Sequence, residues 1–150
     1  MNAKDTTKMA KQISFFKESL YKVGETFSHG VEEGWEEIYL AYFVSADGNK
    51  DNLLAAALMK SPERVVDYSK EERWTLEYFK ARILLEDFWM ESMLMDKGWY
   101  RVLFSLSRFG EMKMFFGETP LGNLDDLGGL SLDFWTRFLR EAKDPLPVVR

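Results

Sequence analysis

The residues with the clearest chemical potential are four glutamates around one predicted strand: Glu32, Glu33, Glu36 and Glu37. Two carboxylates can act as general acid and base, as in glycosidases, when an apolar pocket raises the pKa of one of them. Spacing alone does not predict such a pocket here, and adjacent acids are more typical of a solvated cluster. The pattern therefore favours a charged surface, and a small carboxylate-based enzyme is the less favoured alternative.

Residue types suited to metal or nucleophilic chemistry are scarce. His29 is the one histidine, and it falls at the predicted C-terminus of a helix, where the helix dipole favours a cation. Together with Glu32 or Glu33 it makes a poor zinc site, since there is no second histidine and no cysteine. The glycines form neither GxGxxG nor GxxxxGK, and GxSxG is absent. We therefore expect no catalytic, metal-binding or cofactor-binding residues and no cofactor.

The charge distribution favours a protein partner over a nucleic acid. The formal net charge is −5, and residues 30–68 carry eight acidic residues against three basic ones. Nucleic-acid-binding surfaces have the opposite sign, so direct binding to DNA or RNA is not expected. A basic protein fits better, because complementary fields speed encounter and exclude wrong partners.

Length and composition indicate a single domain over residues 1–150. Hydrophobic residues make up 46% and aromatic residues 15%, which is too rich for disorder, and 30% charged residues suit a soluble surface. The lack of cysteine gives no reason to expect an oxidising compartment. No apolar run typical of a signal peptide is present, and three acids interrupt the most apolar stretch, residues 83–95. We expect a cytoplasmic protein that does not bind membranes.

Two segments with a period of two predict strands that place these residues. Residues 99–116 form a β-hairpin in which Tyr100, Val102, Phe104 and Leu106, and then Met112, Met114 and Phe116, alternate with polar residues. Trp35 to Val44 is predicted to be the first strand, with Ile38, Leu40, Tyr42 and Val44 on one side and Trp35, Glu37, Tyr39, Ala41 and Phe43 on the other. Each strand therefore has one apolar face.

Two further strands are predicted after the turn Asp47-Gly48-Asn49. They are Leu53 to Met59 and Arg64 to Tyr68, separated by the break at Ser61-Pro62. The stretch LLAAALM in the first of them also favours a short helix, because alanine is a good helix former and a poor strand former. Strand and helix therefore both stay open for residues 53–59.

Helical periodicity predicts three helices. An unbroken apolar stripe runs along Thr7 to His29. Ser69 and Glu72 fit a capping box that begins a long helix ending near Lys97, and Ser131 can cap a last helix that ends near Ala142. The predicted fold is an α+β two-layer sandwich in the order helix, three antiparallel strands, long helix, β-hairpin and C-terminal helix.

The long helix carries a wider apolar arc than one sheet requires. Its members are Trp74, Tyr78, Ile83, Leu85, Phe88, Met93, Leu94 and Met95. One interpretation is a central helix held between the sheet and another helix. The other is self-association through the spare side, which would give a homodimer.

Aromatic residues are predicted on the side of the sheet that faces away from the helices. Alternation places Tyr39, Phe43, Trp99 and Phe115 there, with Leu103. A two-layer domain would expose them beside acidic residues, which is the composition of a protein-binding surface. The alternative is that the last helix covers this face.

The order of elements, with GWEEIYLAYFVSADG early and GWYRVLFSLSRFGEMKMFF late, resembles the YezG-like bacterial immunity proteins. The resemblance covers about residues 8–117, and the matching residues are Trp35, Tyr39, Gly48, Trp99, Phe104, Gly110, Met112 and Phe116. It implies an antitoxin that neutralises a nuclease toxin by stoichiometric, non-covalent binding. Tyr39, Phe43, Trp99 and Phe115 would then be anchors, and charge complementarity to a basic toxin would come from Glu32, Glu33, Glu36, Glu37, Asp47 and Asp51.

The same order of elements also resembles the small dimeric chaperones of type III secretion, which hold effector segments. Both classes bind proteins without catalysing a reaction. A chaperone should be an obligate dimer around an extended segment, whereas an immunity protein should cap a folded toxin domain. The enzyme alternative would instead require a deep apolar pocket that contains two acids.

Overall fold

The computed structural model describes residues 3–95, 98–118 and 120, with side chains from residue 14 onward. The predicted α+β class is confirmed, and the order of helices and strands agrees with the prediction. The predicted last helix, Ser131 to Ala142, lies outside the described residues. The elements are α1 (Ala3–Ser28), β1 (Trp35–Val44), β2 (Asp51–Lys60), β3 (Glu63–Asp67), a one-turn 3-10 helix (Glu71–Arg73), α2 (Leu76–Leu94), β4 (Arg101–Ser107) and β5 (Met112–Gly117).

The five strands form one open antiparallel sheet in the order β3-β2-β1-β4-β5. β1 is the central strand, and its Leu40 lies opposite both Ala55 of β2 and Phe104 of β4. Strands that are adjacent in sequence pair as hairpins, except where α2 intervenes between β3 and β4. The chain therefore crosses from the β3 edge of the sheet to the far side of β1, where β4 pairs, and α2 lies on that connection.

The alanine-rich stretch LLAAALM forms the middle of β2, so the helical alternative for residues 53–59 is wrong. Ala55, Ala56 and Ala57 are fully buried, between β1 on one side and β3 on the other. Burial in an interior strand outweighs the weak intrinsic strand preference of alanine. Contact with α2 also stabilises this strand, since the Tyr78 hydroxyl of α2 donates a hydrogen bond of 2.6 Å to the Leu53 carbonyl oxygen.

Both described helices pack on the same face of the sheet. The predicted stripe of α1 is buried there through Leu20, Val23 and Phe27. The two helices also touch, because the rings of Phe15 and Phe16 each lie 5.5 Å from the ring of Phe88 in α2. Over its described residues, neither helix has the length and apolar character that a membrane span requires.

α2 is shorter than predicted and begins differently. The Ser69 hydroxyl does not cap a helix: it accepts the backbone N–H of Ala55 at 2.7 Å and donates to the Ala55 carbonyl at 3.2 Å. The capping box of Ser69 and Glu72 is therefore wrong, because Ser69 extends the pairing of β2 instead. Thr75 is the cap, and its side chain accepts the backbone N–H of Tyr78 at 3.1 Å.

Candidate protein-binding surface

The aromatic residues expected as exposed anchors are buried. Tyr39, Phe43, Trp99 and Phe115 are 0, 2, 2 and 3% exposed. Tyr39, Phe43 and Phe115 do lie on the face away from the helices, where they cluster with Ala41, Ala56 and Leu103. An exposed aromatic patch is therefore a wrong prediction, since this face forms a second core. The alternative in which the last helix covers it lies outside the described residues.

Trp99 lies on the other side of the sheet, in the core that faces the helices. Its ring centroid is 5.3 Å from that of Phe88, 5.7 Å from Phe116 and 6.3 Å from Tyr42. β4 begins only at Arg101, so the alternation of that strand does not determine the direction of Trp99. Its predicted place on the outer face is wrong.

The six acidic residues do not form one surface. Asp47 and Asp51 lie beyond the C-terminal end of β1, whereas Glu32, Glu33, Glu36 and Glu37 lie just before or at its start. β1 has ten residues, so the two groups are about 30 Å apart. A single acidic footprint formed by all six is therefore excluded by the fold.

Basic residues of the same chain neutralise part of the negative charge of the glutamates near the start of β1. The Glu36 carboxylate lies 3.8 Å from both Lys60 Nζ and Arg108 Nη1. Such exposed pairs stabilise a fold by at most about 1 kcal/mol each, but they reduce the local negative charge. Glu32 has the same kind of contact, at 4.0 Å from two side chains, Arg64 and Arg73.

The remaining two glutamates differ from each other. Glu37 is half-buried and accepts a hydrogen bond of 2.9 Å from the Tyr39 hydroxyl. Glu33 is exposed. Glu37 therefore supports the second core, while Glu33 is accessible to solvent.

Asp47 organises the turn between β1 and β2. Its Oδ1 accepts hydrogen bonds from the Ser45 hydroxyl at 2.6 Å and from the Asn49 backbone N–H at 2.9 Å. These bonds lower the pKa of Asp47 below its usual value. The side chain is exposed, so it is a fixed anion at the tip of the turn.

Asp51 links β2 to α2 through a charged network. The Arg82 guanidinium donates to the Asp51 carboxylate at 2.7 and 3.3 Å, and the Tyr42 hydroxyl donates to it at 2.6 Å. Partial burial alone would raise the pKa of Asp51, but these hydrogen bonds outweigh it and the pKa is lowered. Burial and the Asp51 contact raise the pKa of Tyr42 far above its usual range. The pair is therefore a carboxylate and a neutral phenol at neutral pH.

A cleft of about 260 Å³ opens beside this network, between the β1–β2 turn and α2. Trp89 forms a fixed wall, because its indole N–H donates a hydrogen bond of 2.7 Å to the Trp99 carbonyl. Gly48 of the turn has a φ of +77°, and a Cβ there would lie 2.8 Å from Cη2 of Trp89. The side chains that line it include Tyr42, Lys50, Asp51, Glu86, Trp89 and Met90.

Charges of both signs lie at the cleft. Its two carboxylates, Asp51 and Glu86, lie beside Lys50, and Arg82, which keeps Asp51 ionised, also pairs with its charge. Its volume is below the range of about 300–1,000 Å³ that is usual for small-molecule sites. Within the described part of the chain, no group of three or more His, Asp or Glu side chains could hold a metal ion.

The face of α2 opposite the core carries an exposed apolar stripe, called the outer stripe below. Its members are Leu76, Phe79, Ile83, Met90 and Leu94, which are 64, 41, 59, 53 and 88% exposed. The core takes a different set: Tyr78, Ala81, Leu85 and Phe88. The wide apolar arc expected from the sequence is therefore two opposed stripes. Their separate periodicities are visible in the sequence and would have distinguished them.

No protein-family model matches the chain, and no curated protein matches it in sequence. The resemblance to YezG-like immunity proteins therefore stays a prediction.

Proposed function

We propose that this chain is a cytoplasmic immunity protein that binds a basic bacterial toxin, of the nuclease class, and neutralises it in a stoichiometric, non-covalent complex. The supporting observation is the cleft beside α2, where Asp51 and Glu86 lie next to Trp89 and Met90. Interface hot spots combine such features, with apolar contact area that excludes water around a buried polar contact.

A lysine or arginine side chain of the toxin fits this cleft. Asp51 is ionised, so a cation can share its carboxylate with Arg82 without any proton transfer, and Glu86 lies at the same cleft. Trp89 lines the cleft and can add a cation–π contact, which strengthens when water is excluded. The apolar stem of a long basic side chain would lie along Met90.

Asp47 contributes to the association step, before the toxin side chain enters the cleft. It is exposed at the tip of the turn and next to Gly48 and Asn49, which line the cleft. Charges at the rim of an interface mainly affect the association rate. Glu33 has the same charge and exposure but lies at the opposite end of β1, so it provides a matched control.

Surface plasmon resonance with the toxin encoded next to this gene tests the proposal. Asp47→Lys should slow association and flatten its dependence on salt, because a rim attraction becomes a repulsion. Met90→Ala should instead speed dissociation by about tenfold, the effect of losing roughly 1.4 kcal/mol of contact. Glu33→Lys should leave both rates unchanged.

Two results would count against the proposal in different ways. If the wild type does not bind the toxin, the immunity function is wrong. If the wild type binds but Asp47→Lys and Glu33→Lys behave alike, the toxin does not approach through the cleft.

A further inference from the structure

The outer stripe has the spacing of a helix-pairing seam. Leu76, Phe79, Ile83 and Met90 are separated by three, four and seven residues, as positions a, d, a and a of successive heptads are, and Leu94 follows one residue beyond the next d position. All five side chains are exposed, while the opposite side of α2 completes the core of its own protomer. The stripe is therefore free to pack against another helix with the same pattern.

We propose that a second copy of this chain covers the outer stripe, and that the two α2 helices pair antiparallel about a twofold axis near Leu85. Four of the five members of the stripe complement one another in this orientation, while Ile83 lies level with the partner's Asp87. Phe79 faces the partner's Met90, and Leu76 faces the partner's Leu94, each contact occurring twice by symmetry. This dimer does not rest on the proposed function, but it uses Met90 and Glu86, which also line the cleft, so a toxin and the second copy would compete for them.

Charged residues beside the outer stripe favour the antiparallel orientation. Lys80 and Asp87 are seven residues apart, so they lie two turns apart on the same flank of the stripe. They are too far apart to pair within one helix, where ion pairs form at spacings of three or four. Antiparallel helices bring each Lys80 beside the partner's Asp87. Parallel helices would not do so, because the twofold axis would then place the two copies of this flank on opposite sides of the pair.

Glu86 limits the strength of the dimer. It follows Phe79 by seven residues, at the edge of the stripe between Ile83 and Met90, and the twofold axis brings it close to the partner's Glu86. Repulsion between the two carboxylates makes the association weak and dependent on concentration. Glu86→Gln should therefore tighten the dimer, an effect that a merely exposed helix would not show.

Disulfide cross-linking of single-cysteine variants can test the orientation of the two helices, because the chain contains no native cysteine. Under mild oxidation, Glu86→Cys lies near the axis and should form a disulfide-linked dimer. Leu76→Cys should not, since the two copies of this position would be about 27 Å apart along the helices. Phe109→Cys, 83% exposed beside the β4–β5 turn, measures random collision. Preferential cross-linking of Leu76→Cys, or equal cross-linking of all three variants, would overturn the antiparallel dimer.

Sedimentation equilibrium between about 1 and 200 μM tests the contacts. The wild type should move from monomer to dimer, and Ile83→Glu should raise the dimer Kd at least tenfold while Phe109→Glu leaves it unchanged. Lys80→Glu and Asp87→Lys should each weaken the dimer, and the double variant should restore it. These are surface changes, so circular dichroism should stay the same. A monomeric wild type at every concentration, or a double variant no tighter than the single ones, would refute the proposal.

Discussion

Arg82 of α2 holds Asp51 of β2 through its side chain and its backbone: Nη2 donates to Oδ1 at 2.7 Å and to the carbonyl oxygen at 3.0 Å. Both side chains are less than one-third exposed, at 31% for Arg82 and 24% for Asp51. This residue pair therefore joins α2 to β2 at the cleft, in addition to the hydrogen bond from Tyr78 to the Leu53 carbonyl. The ion pairs of Glu36 are longer, at 3.8 Å, and involve more exposed cations.

Asp51→Asn should destabilise the protein and flatten its response to acid. The pKa of Asp51 is lowered in the folded state and is near 3.9 when unfolded. Its ionised form therefore stabilises the fold above the unfolded value, and this stability is lost as the pH falls through the folded pKa. We expect a loss of about 1–3 kcal/mol at pH 7 that shrinks below pH 4. Urea denaturation at pH 7, 4 and 3 measures the free energy of unfolding of the wild type and of Asp51→Asn. If the two proteins depend on pH in parallel, the prediction is wrong.

Glu36→Gln should change the free energy of unfolding by less than about 1 kcal/mol at pH 7. The pairs with Lys60 and Arg108 are exposed, and water and salt screen them. Urea denaturation in low salt and in 0.5 M NaCl is the measurement. A loss as large as that of Asp51→Asn would mean that these pairs are stronger than their geometry indicates.

Phe104→Ala should cost about 3–5 kcal/mol, because a fully buried ring is replaced by a cavity. Ser105→Ala is the matched control on the next residue. The Ser105 hydroxyl is buried and has no hydrogen-bond partner among the described residues, so removing it should cost little. Equal losses in chemical denaturation would show that the register of β4 is wrong.

Gly48→Ala should be more destabilising than Gly34→Ala. Both glycines have a positive φ, at +77° and +92°, so an alanine is strained at either position by about 1 kcal/mol. At Gly48 the new Cβ would also press on Trp89, whereas nothing lies within 4 Å at Gly34. Thermal unfolding gives the difference, and tryptophan fluorescence should shift for Gly48→Ala alone. Identical results for the two variants would show that Trp89 does not pack on the turn.

Periodicity predicted the elements whose environment repeats along the chain. Trp35 to Val44 was placed with its exact bounds because one face of β1 meets the helices all along its length. The alanines of β2 were ambiguous, since their strand conformation depends on pairing with β1 and β3 rather than on their own preference. In sequence, Ser69 fits a helix cap. Its hydrogen bonds to the Ala55 backbone, which only the fold reveals, show that it extends the pairing of β2.

The candidate site was harder to predict because it depends on contacts between distant segments. Asp51 was selected for its charge, but the residues that define its role, Tyr42 and Arg82, come from β1 and α2. Trp89 was not selected at all, since its contact with Gly48 depends on how α2 packs over the turn. Tyr39 and Phe43 were selected as anchors from the side of the sheet that their alternation gives. That side does not tell whether another part of the chain buries them.

The central place of β1 has a consequence for folding. β1, β2 and β3 are complete by Asp67, but the second edge of β1 stays unpaired until β4 has been synthesised. Leu40 and Phe104 pair although they are 64 positions apart, so a long loop that contains α2 must close first. Until then the nascent chain presents an open apolar strand edge, which can pair with another chain. Docking of the β4–β5 hairpin is therefore expected to limit the folding rate, and its delay is expected to set the risk of aggregation.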